Sequence, residues 1–116
     1  MDPQLLRLKP IFEQECSYVI GSQLFPTKLR FLLEGDYICD IFYRASTGAY
    51  SYVLVKGSRR ILGWDNAPHY PDLPNAPHHH HTASGAVVPS PLRGEPMYDI
   101  SCVAHAINGY LQQQGI

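Results

Sequence analysis

The sequence predicts an α+β domain: an N-terminal helix, a five-stranded antiparallel meander sheet, a Pro/His-rich loop and a C-terminal helix packed on one sheet face. Three observations predict it. Apolar residues recur at helical spacing near both ends of the chain. Between them, five short β-branched and aromatic runs follow one another across short turns. Residues 66–96 then carry seven prolines, which interrupt both patterns. With 116 residues and 45% hydrophobic content, the chain is expected to be one domain, 1–116, around a single core.

The elements follow in order. Asp2-Pro3 opens a helix over 3–14, since Asp caps the N-terminus and Pro suits the first turn. Leu5, Leu6, Leu8, Ile11 and Phe12 give it an apolar face, and Pro10 marks a point where it can break. Strands are expected over 16–21, 28–34, 37–44, 49–56 and 59–65. Tight turns join them at Glu34-Gly35-Asp36 and Gly57-Ser58, and a loop at Ala45–Gly48. Residues 66–96 read as irregular. Ile100, Val103, Ala104, Ile107 and Leu111 then share one face of a helix over 97–114, which Gly115 stops.

Composition narrows the function. A net charge of −1 argues against a general nucleic-acid coat. Residues 28–60 do hold six basic against three acidic side chains, but solvated outward sheet positions explain these as well as a phosphate-binding face does. No apolar run approaches the ~20 residues of a membrane helix. The N-terminal segment lacks the basic start and apolar stretch of a signal peptide, so a cytoplasmic protein is expected. Cys16, Cys39 and Cys102 form no C-x-x-C pair and read as free thiols. Nucleotide-binding and hydrolase signatures such as a P-loop or G-x-S-x-G are missing.

The loop after the last predicted strand carries the chemistry. Residues 64–81 hold five of the six histidines and four of the ten prolines. Pro68, Pro71, Pro74 and Pro77 recur every third residue, the period of polyproline II. At about 3.1 Å per residue a straight run would hold His69 and His78 about 28 Å apart. Joining the two histidine regions therefore needs a bend, for which Asp72 and Asn75 offer turn chemistry.

Three readings of this loop stand side by side. In the catalytic one, His69 and His79 exchange protons, Arg60 holds a phosphate and Asp65 orients an imidazole. These are the parts of metal-independent RNA cleavage by the substrate's own 2′-hydroxyl. Its structural counterpart has Trp64 in the core, Asp65 and Asn66 bonding loop amides, and His69 as a satisfied polar residue. In the metal reading, alternation along an extended segment sends His78 and His80 one way and His79 and His81 the other. Either pair offers two ligands, and His69 or Asp65 completes a zinc set. No resident cofactor is expected; zinc on His78 and His80 is the alternative. In the third reading the proline ridge with Tyr70 is a recognition segment. His105 lies off the apolar stripe of the last helix and reads as a surface residue.

The order Tyr50-Ser51-Tyr52, Arg59-Arg60, Trp64-Asp65-Asn66-Ala67-Pro68-His69, Leu73-Pro74, Pro77-His78-His79 and His81 resembles the TumE-like toxin family of bacterial toxin–antitoxin modules. The likeness covers nearly the whole chain, and the two loop motifs are its specific part. Three positions depart from the family pattern: Tyr70 stands for a second histidine, Gly63 for a basic residue and Ala76 for an aromatic one. The resemblance implies the toxin component of a type II toxin–antitoxin module with a cognate antitoxin as partner. Combined with the loop chemistry, it gives an RNase reading. His69, His79, Arg60 and Asp65 are then catalytic, and Asn66, Tyr52, His78 and His81 contact substrate RNA. A homodimer through a free strand edge is a further expectation. The alternative is a non-catalytic binding protein, or an inactive toxin relative, whose Trp64–His81 segment is a brace or recognition surface.

Overall fold

The computed structural model describes residues 2–116; Met1, read above with the N-terminal segment, lies outside them. Helix α1 runs Pro3–Glu15. The Asp2 carboxylate caps it by accepting the Gln4 N–H at 2.8 Å. It passes through Pro10 without breaking. Leu5, Leu8 and Phe12 are fully buried and hold both halves to the sheet, while Pro10 faces outward.

A single antiparallel sheet follows in simple chain order: β1 (Val19–Leu24), β2 (Lys28–Leu33), β3 (Tyr37–Arg44), β4 (Ala49–Lys56), β5 (Arg59–Asp65), β6 (His79–His81) and β7 (Val87–Pro89). Two expectations need correcting. The first strand starts three residues later than its β-rich sequence suggests. Cys16 still closes α1 through its N–H to the Phe12 carbonyl, and pairing of Leu24 with Leu29 fixes the strand's far end. The sheet also has seven strands rather than five. Residues 66–96 are not wholly irregular, because the outer edge of β5 takes up His79–His81 as a partner, and Val87–Pro89 pairs outside that. Strands of three residues, flanked by prolines, are too short to leave a period in the sequence.

Helix α2 (Pro96–Gln113) lies beside α1 on the same side of the sheet. The two helices bury Leu5, Leu8, Phe12, Ile100, Val103, Ile107 and Leu111 against Leu29, Phe31, Cys39, Ile41, Tyr52, Leu54 and Trp64. Alternation along each strand makes this one layer: β2 buries every second residue, and β3 and β4 do so along most of their length. The core stands entirely between helices and sheet, which leaves the opposite sheet face open. On that face the basic residues of the middle strands are partly occupied. Arg30 grips Asp40 by two hydrogen bonds, at 2.8 and 3.0 Å, and Lys28 lies 3.5 Å from the same carboxylate. All three cysteines are free thiols. No helix among the described residues is long and apolar enough to cross a membrane.

Candidate functional site

The open face becomes a pocket where β4, β5 and β6 meet the loop after β5. It holds about 550 Å³ and is lined by Ser51, Arg60, Asp65, His69, Tyr70, His79 and His81, among others. Register places these groups. Asp65 pairs with Ser51 on one side and His79 on the other, and Gly63 pairs with His81. Residues 79 and 81 therefore project from the same face as Asp65. A bulge in the β4–β5 pairing, between Leu54 and Val55, sets Arg60 opposite Val55 and turns it toward this face. Its side chain lies over Gly63: a Cβ at that position would stand 3.2 Å from Arg60 Cδ and 3.6 Å from the His81 ring. The departure from a basic residue at 63 thus opens the space that Arg60 occupies.

The loop bends rather than extending. Successive turns link Tyr70 to Leu73, Leu73 to Ala76 and Asn75 to His78. Asn75 adopts a φ of 64°, a left-handed conformation that Asn tolerates, and donates from Nδ2 to the carbonyls of Ser90 and Leu92. The polyproline spacing does not produce an extended ridge, and His69 lines the same pocket as His79.

Asp65 is the hub. Its Oδ1 accepts the Ala67 N–H at 2.9 Å and lies 3.0 Å from His79 Nε2; its Oδ2 lies 3.4 Å from His81 Nε2. His79 is only 1% exposed. Its Nδ1 lies 3.0 Å from the Pro77 carbonyl oxygen. Both ring nitrogens thus face atoms that only accept hydrogen bonds. A neutral ring has one N–H and satisfies one of them; satisfying both requires an imidazolium or another cation between Nε2 and the carboxylate. The Tyr70 ring roofs the pair, 4.8 Å from His79 and 6.3 Å from His81. His81 is more open than His79, and burial, followed by the nearby Arg60 charge, pushes its pKa below the ordinary histidine value.

Of the residues expected at the site, the structure brings together His69, His79, His81, Arg60 and Asp65. Asn66 lines the pocket, but its amide is spent on the backbone: Oδ1 accepts from Tyr50 N–H and Nδ2 donates to the Gly48 carbonyl. Tyr52 does not belong to the site. It is 1% exposed on the helix side, where burial raises its hydroxyl pKa, and it cannot reach a substrate. His78 and His80 also turn away from the pocket. His78 Nδ1 meets the Tyr50 hydroxyl at 2.8 Å, and His80 stacks on Trp64 with ring centroids 4.5 Å apart, its Nδ1 on the Gly63 carbonyl. Zinc on His78 and His80 is therefore unsupported; the group whose ligand atoms converge is Asp65, His79 and His81. Sequence reasoning missed Tyr70 as a roof, and no periodicity marks it.

Helices on one sheet face and a carboxylate–imidazole–guanidinium pocket on the other define a small α+β protein with a polar cleft on its open sheet face. Residues 4–109 match the family model described as Toxin TumE, and the chain belongs to that toxin family. No curated protein and no solved structure matches it.

Proposed function

We propose that this protein is the toxin of a type II toxin–antitoxin module and that it cleaves RNA in the open-face pocket without using a metal. The observation that carries this reading is the convergence of His69, His81, Asp65 and Arg60 on one cleft of the open sheet face. Arg60 holds the scissile phosphate, for which a guanidinium offers paired donors. His81, kept neutral at physiological pH by its lowered pKa, takes the proton from the 2′-hydroxyl. The 2′-oxygen then bonds to phosphorus as the bond to the 5′-oxygen breaks. His69, at the rim, gives that leaving oxygen its proton. The products are a 2′,3′-cyclic phosphate and a 5′-hydroxyl.

In this proposal His79 takes a different role from the one read in the sequence: buried, with both nitrogens facing acceptors, it positions Asp65 rather than exchanging protons, and Asp65 in turn orients His81. A cognate antitoxin inhibits by covering this face. The test is purified protein with RNA in excess chelator. Cleavage to cyclic phosphate ends, abolished by a 2′-deoxy substitution at the cut and reduced at least a hundredfold in His69→Ala and His81→Gln, supports the proposal. Intact RNA, or cleavage that survives both substitutions, refutes it.

A further inference from the structure

We propose that Asp65, His79 and His81 form a zinc site on the floor of the pocket, and that zinc bound there holds the toxin inactive. The argument begins with the contact between His79 Nε2 and Asp65 Oδ1. With Nδ1 donating to the Pro77 carbonyl, Nε2 faces a carboxylate oxygen 3.0 Å away, a contact that either a second ring proton or a metal cation satisfies. A second imidazole, His81, reaches the other oxygen of the same carboxylate at 3.4 Å, and one ligand atom from each of the three residues falls within 4.8 Å of the others.

With metal–ligand bonds of about 2.0–2.1 Å, neighbouring ligands of a tetrahedral ion stand about 3.4 Å apart. The two imidazole–carboxylate separations, 3.0 and 3.4 Å, lie near that value, and the group, spread over as much as 4.8 Å, must close in to bind an ion. Two imidazoles and one carboxylate fill three positions, and the fourth faces the cleft. The supporting contacts are of the kind that orient metal ligands: a backbone carbonyl on the far nitrogen of His79 and a backbone N–H on Asp65. Strand pairing holds all three, since β6 is fixed between β5 and β7. Arg60 is the charge that opposes a cation here, and its exposure to solvent screens that charge.

Inhibition follows from the lone pairs. Zinc replaces the Nε2 proton that His81 shares with Asp65, and places two positive charges on the imidazole meant to accept a proton. This half of the inference rests on the proposed reaction; the binding half does not.

The experiment is calorimetric titration of untagged, chelator-stripped protein with Zn²⁺, followed by RNA cleavage assays across the same zinc range. His81→Gln tests the site. His80→Phe, one residue away on the opposite face, tests for adventitious capture by the histidine run. Expected are one zinc per chain in wild type and His80→Phe, binding at least tenfold weaker in folded His81→Gln, and cleavage falling as the site fills. No stoichiometric binding in wild type, equal weakening in His80→Phe, or unchanged binding in His81→Gln overturns the site. Faster cleavage with zinc overturns inhibition. If RNA stays intact at every zinc level while the binding pattern holds, the proposed function and the inhibition fail and the site stands.

Discussion

Strand β6 puts three histidines in a row, and the two faces of the sheet use them for different work. His80 goes to the helix side and lies flat on Trp64 as part of the packing. His79 and His81 go to the open side and meet Asp65. The same side chain is thus an aromatic filler at one position and an ionic, ligand-type group at its neighbours. Residue type does not decide the role; parity on the strand does. The lesson extends across the sheet. Tyr52 and Trp64 are opposite partners on the helix side, whereas Ser51 and Asp65, each one residue away, stand in the pocket.

The sharpest way to test this division is to remove the largest helix-side group. Trp64→Ala deletes a side chain that is 4% exposed. It is expected to cost about 3–5 kcal/mol by urea unfolding, with loss of any activity as a consequence of unfolding. A smaller cost on the open side is expected from Asp65→Ala, which leaves buried His79 Nε2 and the Ala67 N–H without the carboxylate they face. Since Asp65 is partly solvated, about 2 kcal/mol is the expected loss, below that of a fully buried pair. Asp65→Asn keeps an acceptor for the Ala67 N–H and offers an N–H to His79. It should recover most of that stability without restoring activity or zinc binding.

Arg60→Ala probes the same face with less structural consequence. Its side chain is exposed, so stability should move by no more than about 0.5 kcal/mol. If Arg60 stabilises the phosphate in the transition state, RNA cleavage should fall on the order of a hundredfold. A stable variant with full cleavage would remove Arg60 from the site. The smallest effect expected is a pH slope. Burial lowers the pKa of His80 from its ordinary 6.5, against the raising effect of the Gly63 carbonyl bond. Below 6.5 the unfolded chain then takes up more protons than the folded one. Stability present above that value is lost as pH falls through the folded value. His80→Phe should flatten, though not abolish, the fall in melting temperature between pH 7 and 5, because His81 titrates in the same sense.

Most of the fold is legible in the sequence because its long elements carry period. The middle strands alternate buried and outward residues, and Ile100, Val103, Ala104, Ile107 and Leu111 mark a helix face that is fully buried. The three-residue strands escape, since their signal comes from hydrogen bonding to β5 and not from their own residues. The site was half legible. Residue types identified His69, Asp65 and Arg60, and alternation grouped His79 with His81. The sequence could not say which pair faces the pocket, because that depends on register against Asp65. Nor could it say that Tyr52 is core, because Tyr suits either face of a half-buried sheet.

The measurement that tests the division of faces most directly is paired inducible expression in a bacterial host of wild type, His80→Phe and His81→Gln, following growth and total RNA integrity, with soluble yield as a check on folding. The account predicts that wild type and His80→Phe arrest growth and fragment RNA, whereas soluble His81→Gln does neither. Full growth arrest with RNA fragmentation in His81→Gln, or loss of both in soluble His80→Phe, would contradict it.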